Sequence, residues 1–355
     1  MLTPFSRSLT RLSALLVGAS LMLLPVSAAA MPQAVGIPAV SAPSPLSLED
    51  SNSRLYRATC RRLSALGMNE QQCAILYSRL GPQLTQQLDQ DVWSLQELAF
   101  LSLPNCHPEW LNRYLDYAQA NPEQSLLDVA VQVNLGLDRP FYEEPDVISD
   151  PSDPLVLVNK YHSLPQDYVP ELMELGATYG TGSLTPEAAQ AFFAMADAAR
   201  EDGISLRSVS AYRSYSYQEQ LYERYVDQSG TEAADTFSAR PGYSEHQTGL
   251  ALDINTASSS AHFEESEEFA WLEEHCAQFG FLLRYPQGKQ DITGYRFEPW
   301  HYRYVGIETA QRCVQLGLTY DEYLAYQSVP GPYPLPDDAL PSSTPSSNPP
   351  ILVRN

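Results

Sequence analysis

Apolar residues recur at helical spacing through residues 53–137. Leu55, Leu63 and Leu66, then Cys73, Ile75, Leu76 and Leu80, fall in short amphipathic segments parted by Gly67 and by Gly81-Pro82. Segments 94–101, 108–120 and 125–135 continue the pattern, with Asn121-Pro122 as a break. This front stretch of about 85 residues is long enough for a small core of its own. Acidic, proline-broken sequence at 143–146 and 150–154 then marks a boundary, so a helical module is expected over 51–145 and a second domain over 150–327.

Beyond that boundary the period alternates. Residues 155–158 and 206–213 are predicted as strands, and 186–202 as a helix with Pro186 in its first turn and Thr185 as its cap. The apolar face of that helix runs through Ala189, Phe192, Phe193 and Ala196. Further helices are predicted at 217–225, 267–278 and 307–316. The apolar run 250–254 has the length of a short buried strand, and 295–305 is rich in the aromatic and β-branched residues that strands favour. Strands interleaved with helices in this way predict an α+β fold, with helices packed on a small, mainly antiparallel sheet.

The two ends of the chain read differently. Arg7 and Arg11 precede an apolar stretch over 12–26 and then Ser27 and three alanines to Ala30, the three parts of a secretory signal peptide over 1–30 with cleavage after Ala30. The clean apolar core, 14–24, is short against the roughly 20 residues of a membrane span, so no stable membrane insertion is expected after cleavage. Residues 31–50 read as a Pro-, Ala- and Ser-rich linker, and 328–355 as a Pro/Ser-rich disordered tail with little to bury.

A net charge of −22, with lysine only at Lys160 and Lys289, argues against nucleic acid as a partner and offers no polybasic patch for anionic lipid. Five cysteines fit an oxidising compartment but leave one unpaired. Cys276 and Cys313 are expected to form a disulfide between the helices at 267–278 and 307–316. Cys60, Cys73 and Cys106 make a poor metal site, because no close Cys-x-x-Cys pair exists and only His107 is near.

The chemistry concentrates in Ser-Glu-His-Gln-Thr-Gly-Leu-Ala-Leu-Asp over 244–253 and Glu-Pro-Trp-His over 298–301. Zn²⁺ takes imidazole nitrogen and carboxylate oxygen, and a hydrolytic site keeps a fourth position open. His246, Asp253 and His301 would be the three ligands of one zinc ion, and Glu298 the general base beside it. Residues three apart on a regular strand face opposite ways, so Pro299 must introduce an edge or kink if Glu298 and His301 are to share the site. His107, His162, His262 and His275 have no partner at ligand spacing. Trp300 is expected either to wall the pocket or to pack under the metal site.

These two motifs sit in a series of blocks: 155–161 with 164–170, Ser-Ala-Tyr-Arg-Ser-Tyr-Ser-Tyr-Gln over 210–218, 244–253, Phe-Gly-Phe-Leu-Leu-Arg-Tyr-Pro over 279–286, and Phe-Glu-Pro-Trp-His-Tyr-Arg over 297–303. In that order they resemble the zinc D-alanyl-D-alanine carboxypeptidases of the VanY type, which share the hedgehog/DD-peptidase fold. The resemblance runs from residue 155 to 326. It implies His246, Asp253 and His301 as zinc ligands, Glu298 as catalytic base, Arg213 as a catalytic and substrate-binding residue, and Gln218 and Ser244 around the substrate. A fixed guanidinium suits a carboxylate or a developing oxyanion; Arg207 and Arg224 are read as ordinary surface arginines.

The substrate so implied is the peptidoglycan stem peptide, with loss of its terminal D-Ala. An L,D-carboxypeptidase acting on tetrapeptide stems and a non-catalytic wall-binding module on the same fold remain alternatives, since a fold does not fix activity. The helical front module resembles the region that precedes the catalytic domain in many VanY-type proteins, especially over 134–142, and the sequence gives it no catalytic constellation. Export of the full chain should yield a mature protein beginning at Met31, which N-terminal sequencing of the exported form will read; an intact Met1 terminus would contradict cleavage.

Overall fold

Three of the front helices begin at side-chain caps that satisfy their exposed N–H groups. In this computed structural model, which describes residues 50–90 and 92–332, the front helices are α1 (Asp50–Ala65), α2 (Glu70–Leu80), α3 (Leu84–Asp89), α4 (Leu95–Leu101), α5 (Leu111–Ala120) and α6 (Leu126–Asn134). Asn69 with Gln72 and Ser94 with Glu97 form capping boxes at α2 and α4, and Ser125 caps α6. The helices bury a common core of Leu63, Leu76, Leu98, Phe100, Tyr114, Val129 and Val133. The expected signal peptide and nearly all of the linker and tail lie outside the described residues.

The second region contains β1 (Asp146–Val147), β2 (His162–Ser163), β3 (Met173–Glu174), β4 (Ser183–Leu184), α7 (Pro186–Glu201), β5 (Arg207–Ser210), α8 (Tyr215–Ser229) and α9 (Thr231–Asp235). It continues with β6 (Ala251–Asn255), α10 (Glu267–His275), β7 (Phe281–Leu283), α11 (Gln290–Thr293), β8 (His301–Tyr304), α12 (Ile307–Leu316) and α13 (Tyr320–Ala325). Its centre is a four-stranded antiparallel sheet in the order β5-β6-β8-β7. Helix α7 packs Ala189, Phe192, Met195 and Ala196 into a core shared with Leu252 and Ile254 of β6, Phe281 of β7, and Tyr302 and Tyr304 of β8. The fold is thus α+β, with helices on a small antiparallel sheet and helices in front. Among the described residues no helix is long and apolar enough to cross a membrane.

Several expectations change in detail. Residues 155–158 form no strand: Val156 and Val158 are buried, but the carbonyls of Pro154 and Val156 accept from the Arg303 guanidinium, at 3.0 and 2.8 Å, instead of from a neighbouring strand. Thr185 stands at the N-cap of α7, yet its hydroxyl makes no capping bond and is buried without a partner. The strand expected at 295–305 begins only at His301. Cys276 and Cys313 carry free thiols and no disulfide. Cys276 belongs to the core under α7, whereas Cys313 packs with Leu282, Val305 and Tyr320, and apolar burial pushes each thiol up to about 12.

The front helices are bonded to α13 and the segment that follows it. Asn105 and Asn134 amides both donate to the Ala325 carbonyl at the C-terminus of α13, at 3.1 and 2.9 Å. Buried Arg79 gives its guanidinium to the carbonyls of Leu101, Leu103, Pro104 and Val329. The block at 134–142 packs against the second region: Gly136 lies where a Cβ would meet the Tyr161 ring at 2.7 Å, and the Lys160 ammonium sits 4.7 Å from the Phe141 ring centre.

Phe192 is fully buried with its ring 6.5 Å from that of Phe281. Phe192→Ala should therefore cost about 3–5 kcal/mol of stability, read from urea denaturation; a loss below about 1 kcal/mol would contradict this packing.

Candidate metal centre

Strand β6 is apolar on both sides of Asp253, and its register with β8 sets Asp253 directly opposite His301. Cross-strand partners in a ladder project to the same face. Immediately before β6, residues Glu245–Thr248 form a 3-10 turn that carries His246 and ends at Gly249, whose φ of 68° is left-handed. A Cβ there would press on Pro170 and Leu172 at 3.2 Å, so glycine suits both the turn and its surroundings. The chain thus delivers His246, Asp253 and His301 to one place.

Their ligand-type atoms all lie within 4.8 Å of one another, and the three residues are buried. His246 Nε2 is 3.3 Å and His301 Nδ1 is 3.5 Å from Asp253 Oδ1. His246 Nδ1 is 2.6 Å from the Ala211 carbonyl, which can only accept, so the proton belongs on Nδ1 and the lone pair of Nε2 faces Asp253. His301 Nε2 is 3.3 Å from Glu245 Oε2, which leaves Nδ1 turned to Asp253. Asp253 Oδ1 itself is buried and has no hydrogen-bond donor.

Burial, and then the nearby Arg213 charge, lower His246 to about 4, so its imidazole is neutral at pH 7. Burial would raise Asp253, but the Arg213 guanidinium bonded to its Oδ2 holds it well below the usual carboxylate range. Two imidazole lone pairs and a carboxylate oxygen therefore converge on a buried point, and a cation would relieve their mutual repulsion. Two nitrogens and one oxygen are a donor set that suits zinc. No other group of three such residues is found among the described residues.

Glu298 precedes β8 in a turn, where the His301 N–H donates to the Glu298 carbonyl at 3.1 Å. The turn, in place of a continuous strand, lets both side chains reach one site: Glu298 Oε2 is 3.7 Å from His301 Nδ1. Burial raises the Glu298 carboxyl to about 7; His301 opposes the shift and Asp253 adds to it.

Arg213 follows β5. Its Nη2 bonds Asp253 Oδ2 and its Nε donates to Ser210 Oγ at 2.9 Å, so its guanidinium is tied to the carboxylate that faces the histidines. Gln218, buried on α8, donates to the Ala239 carbonyl at 2.8 Å and leaves its Oε1 buried without a partner. Arg213, Gln218, Ser244, Glu298 and Trp300 all line one cavity of about 290 Å³ beside the three converging residues. Trp300 is thus a wall of the pocket.

Sequence reasoning passed over Glu245, although it lies inside the 244–253 motif. It is wholly buried and bonded to Arg284 Nε at 2.8 Å and Arg303 Nη1 at 3.0 Å. Both arginines stand in the blocks at 279–286 and 297–303. Their signal was available as charged residues in or directly after strand-forming runs rich in apolar and aromatic residues, positions that require a buried partner.

Residues 181–307 match the family model described as VanY, D-alanyl-D-alanine carboxypeptidase. The chain is similar to the putative carboxypeptidase YodJ of Bacillus subtilis, 39% identical over 191 residues that cover 50% of this chain and 69% of the relative. Among solved structures it is similar to the LdcB LD-carboxypeptidase, at 36% identity and a TM-score of 0.49 over 52% of this chain and 91% of that one. It is also similar to a VanY D,D-pentapeptidase from a VanB-type vancomycin resistance cassette in complex with Zn(II), at 37% identity and a TM-score of 0.45, covering 49% and 99% of the two chains.

In the metal-free protein the raised Glu298 carboxyl contributes stability below its ordinary value of 4.5 that is lost as pH rises through about 7. Glu298→Gln escapes that loss. After chelator treatment, the variant should gain on wild type by on the order of 1–3 kcal/mol between pH 4.5 and pH 8, measured by urea denaturation at the two pH values. A difference that does not change with pH would contradict the buried, ionisable placement of Glu298.

Proposed function

We propose that this chain, which belongs to the VanY family of D-alanyl-D-alanine carboxypeptidases, holds one zinc ion and hydrolyses the terminal D-Ala from peptidoglycan stem peptides outside the cytoplasm. The observation that carries the proposal is the convergence of His246 Nε2, Asp253 Oδ1 and His301 Nδ1, with Oδ1 buried and lacking a donor. Those three atoms would hold the ion. When bound, zinc supplies a strongly acidified water and polarises a carbonyl.

The chain's own residues account for the remaining needs of amide hydrolysis. Glu298 takes a proton from the attacking water and passes it to the leaving amine of D-Ala, and burial keeps its carboxyl near the range where it can do both. Arg213 fixes Asp253 through Oδ2, so that Oδ1 points to the histidines, and adds a positive charge to the cavity wall where an oxyanion or a peptide carboxylate would lie. Gln218 Oε1 offers a buried acceptor to a substrate N–H, and Ser244 borders the same cavity. Residues 150–327 would form the peptidase domain and 51–145 a helical module bonded to it. The signal-like sequence over 1–30 supports export to the periplasm or cell wall.

Purified protein should release D-Ala from a stem pentapeptide in a reaction that needs zinc. Glu298→Ala should lower kcat by about 10²–10⁴-fold, the usual worth of a general base. Release confined to the tetrapeptide stem would make the enzyme an L,D-carboxypeptidase, and no release from either peptide by zinc-loaded protein would overturn the enzymatic reading.

A further inference from the structure

An imidazole can present only one nitrogen to a metal, and whatever holds the other nitrogen decides which one it is. For His246 that holder is the neutral Ala211 carbonyl, 2.6 Å from Nδ1. For His301 it is the Glu245 carboxylate, 3.3 Å from Nε2. The two histidines are therefore held by partners of different charge and turn opposite nitrogens to Asp253.

The Glu245 side chain is entirely buried, a placement that costs several kcal/mol unless charges and hydrogen bonds compensate. Compensation comes from one side. Arg284 Nε and Arg303 Nη1 both donate to Oε1, which leaves Oε2 to His301. Arg284 is in turn bonded to Asp321 of α13, and Arg303 to the carbonyls of Tyr304, Pro154 and Val156. The position of Oε2 is thus set by the ends of two strands, a helix and the 154–156 segment. Within this cluster Glu245 and Asp321 balance Arg284 and Arg303, so loss of the Glu245 charge would leave a net positive charge against the imidazole that faces the cation.

We infer that Glu245 is a positioning residue for the metal centre: it holds His301 by Nε2, turns Nδ1 toward Asp253, and supplies the negative charge that makes this imidazole a stronger donor than a carbonyl partner would. The inference rests on the zinc reading above. One 3-10 turn then provides both a ligand, His246, and the carboxylate that holds the second histidine.

Two variants of the full chain separate positioning from a purely structural role. In Glu245→Gln the arginines keep acceptors, Asp321 for Arg284 and three carbonyls for Arg303, so a folded protein is expected. In Glu245→Asp the charge stays but the carboxylate withdraws from His301, and folding is safer still. Zinc affinity measured against a chromophoric chelator should fall about 10–100-fold in Glu245→Gln and by a smaller factor in Glu245→Asp. Excess zinc should restore much of the D-Ala release, with KM unchanged. A structural role alone would lower the unfolding midpoint of the metal-free protein and leave zinc affinity where it was. Zinc affinity within twofold of wild type in a folded variant would overturn the inference, whereas a wild type that binds no zinc would overturn the metal reading itself.

Discussion

Antiparallel pairing of β6 with β8 places Asp253 opposite His301, and most of the site hangs from these two strands or from the strands paired with them. The turn before β6 carries His246, and the turn before β8 carries Glu298. Strand β5, paired to the other edge of β6, leads into Arg213, and β7, paired to β8, leads into Arg284. Such a pairing gathers lone pairs and carboxylates in a buried place, where an unpaired polar group is costly. The cost is offset by three arginines. Arg213 takes one oxygen of Asp253, and the Arg284–Arg303 pair takes one oxygen of Glu245, each leaving a second oxygen free to face a histidine or a cation.

Much of this was legible in the chain. The 3.6 period located α7 and α12 because each buries one face in a core, the unbroken apolar run at 250–254 located β6, which is buried on both faces, and the spacing of His246, Asp253 and His301 identified three residues that do converge. The misses have physical causes. Residues 155–158 have strand composition, but the carbonyls of Pro154 and Val156 are taken by the Arg303 side chain from a distant strand, which no local pattern reveals. The pair Cys276 and Cys313 was inferred from count and region, yet the two thiols face different apolar clusters. Glu245 was missed because a charged residue beside a histidine looks like any polar loop position until its two arginine partners, 39 and 58 residues away, are seen.

The front helices are joined to α13 and the segment after it by backbone acceptors more than by charge. The Ala325 carbonyl, freed at the C-terminus of α13, accepts from two asparagines of the front region, and the Val329 carbonyl accepts from buried Arg79. The same helix α13 carries Asp321, the partner of Arg284. An unbroken series of hydrogen bonds and packed residues therefore runs from the front core to the carboxylate that holds His301. The front helices are thereby bonded to the region that carries the site.

Anomalous diffraction at the zinc edge, from crystals of the full chain, tests the central claim most directly. The account predicts one zinc peak at about 2.0–2.2 Å from His246 Nε2, Asp253 Oδ1 and His301 Nδ1. A peak bound elsewhere, or bound through His301 Nε2 with Glu245 displaced, would contradict it.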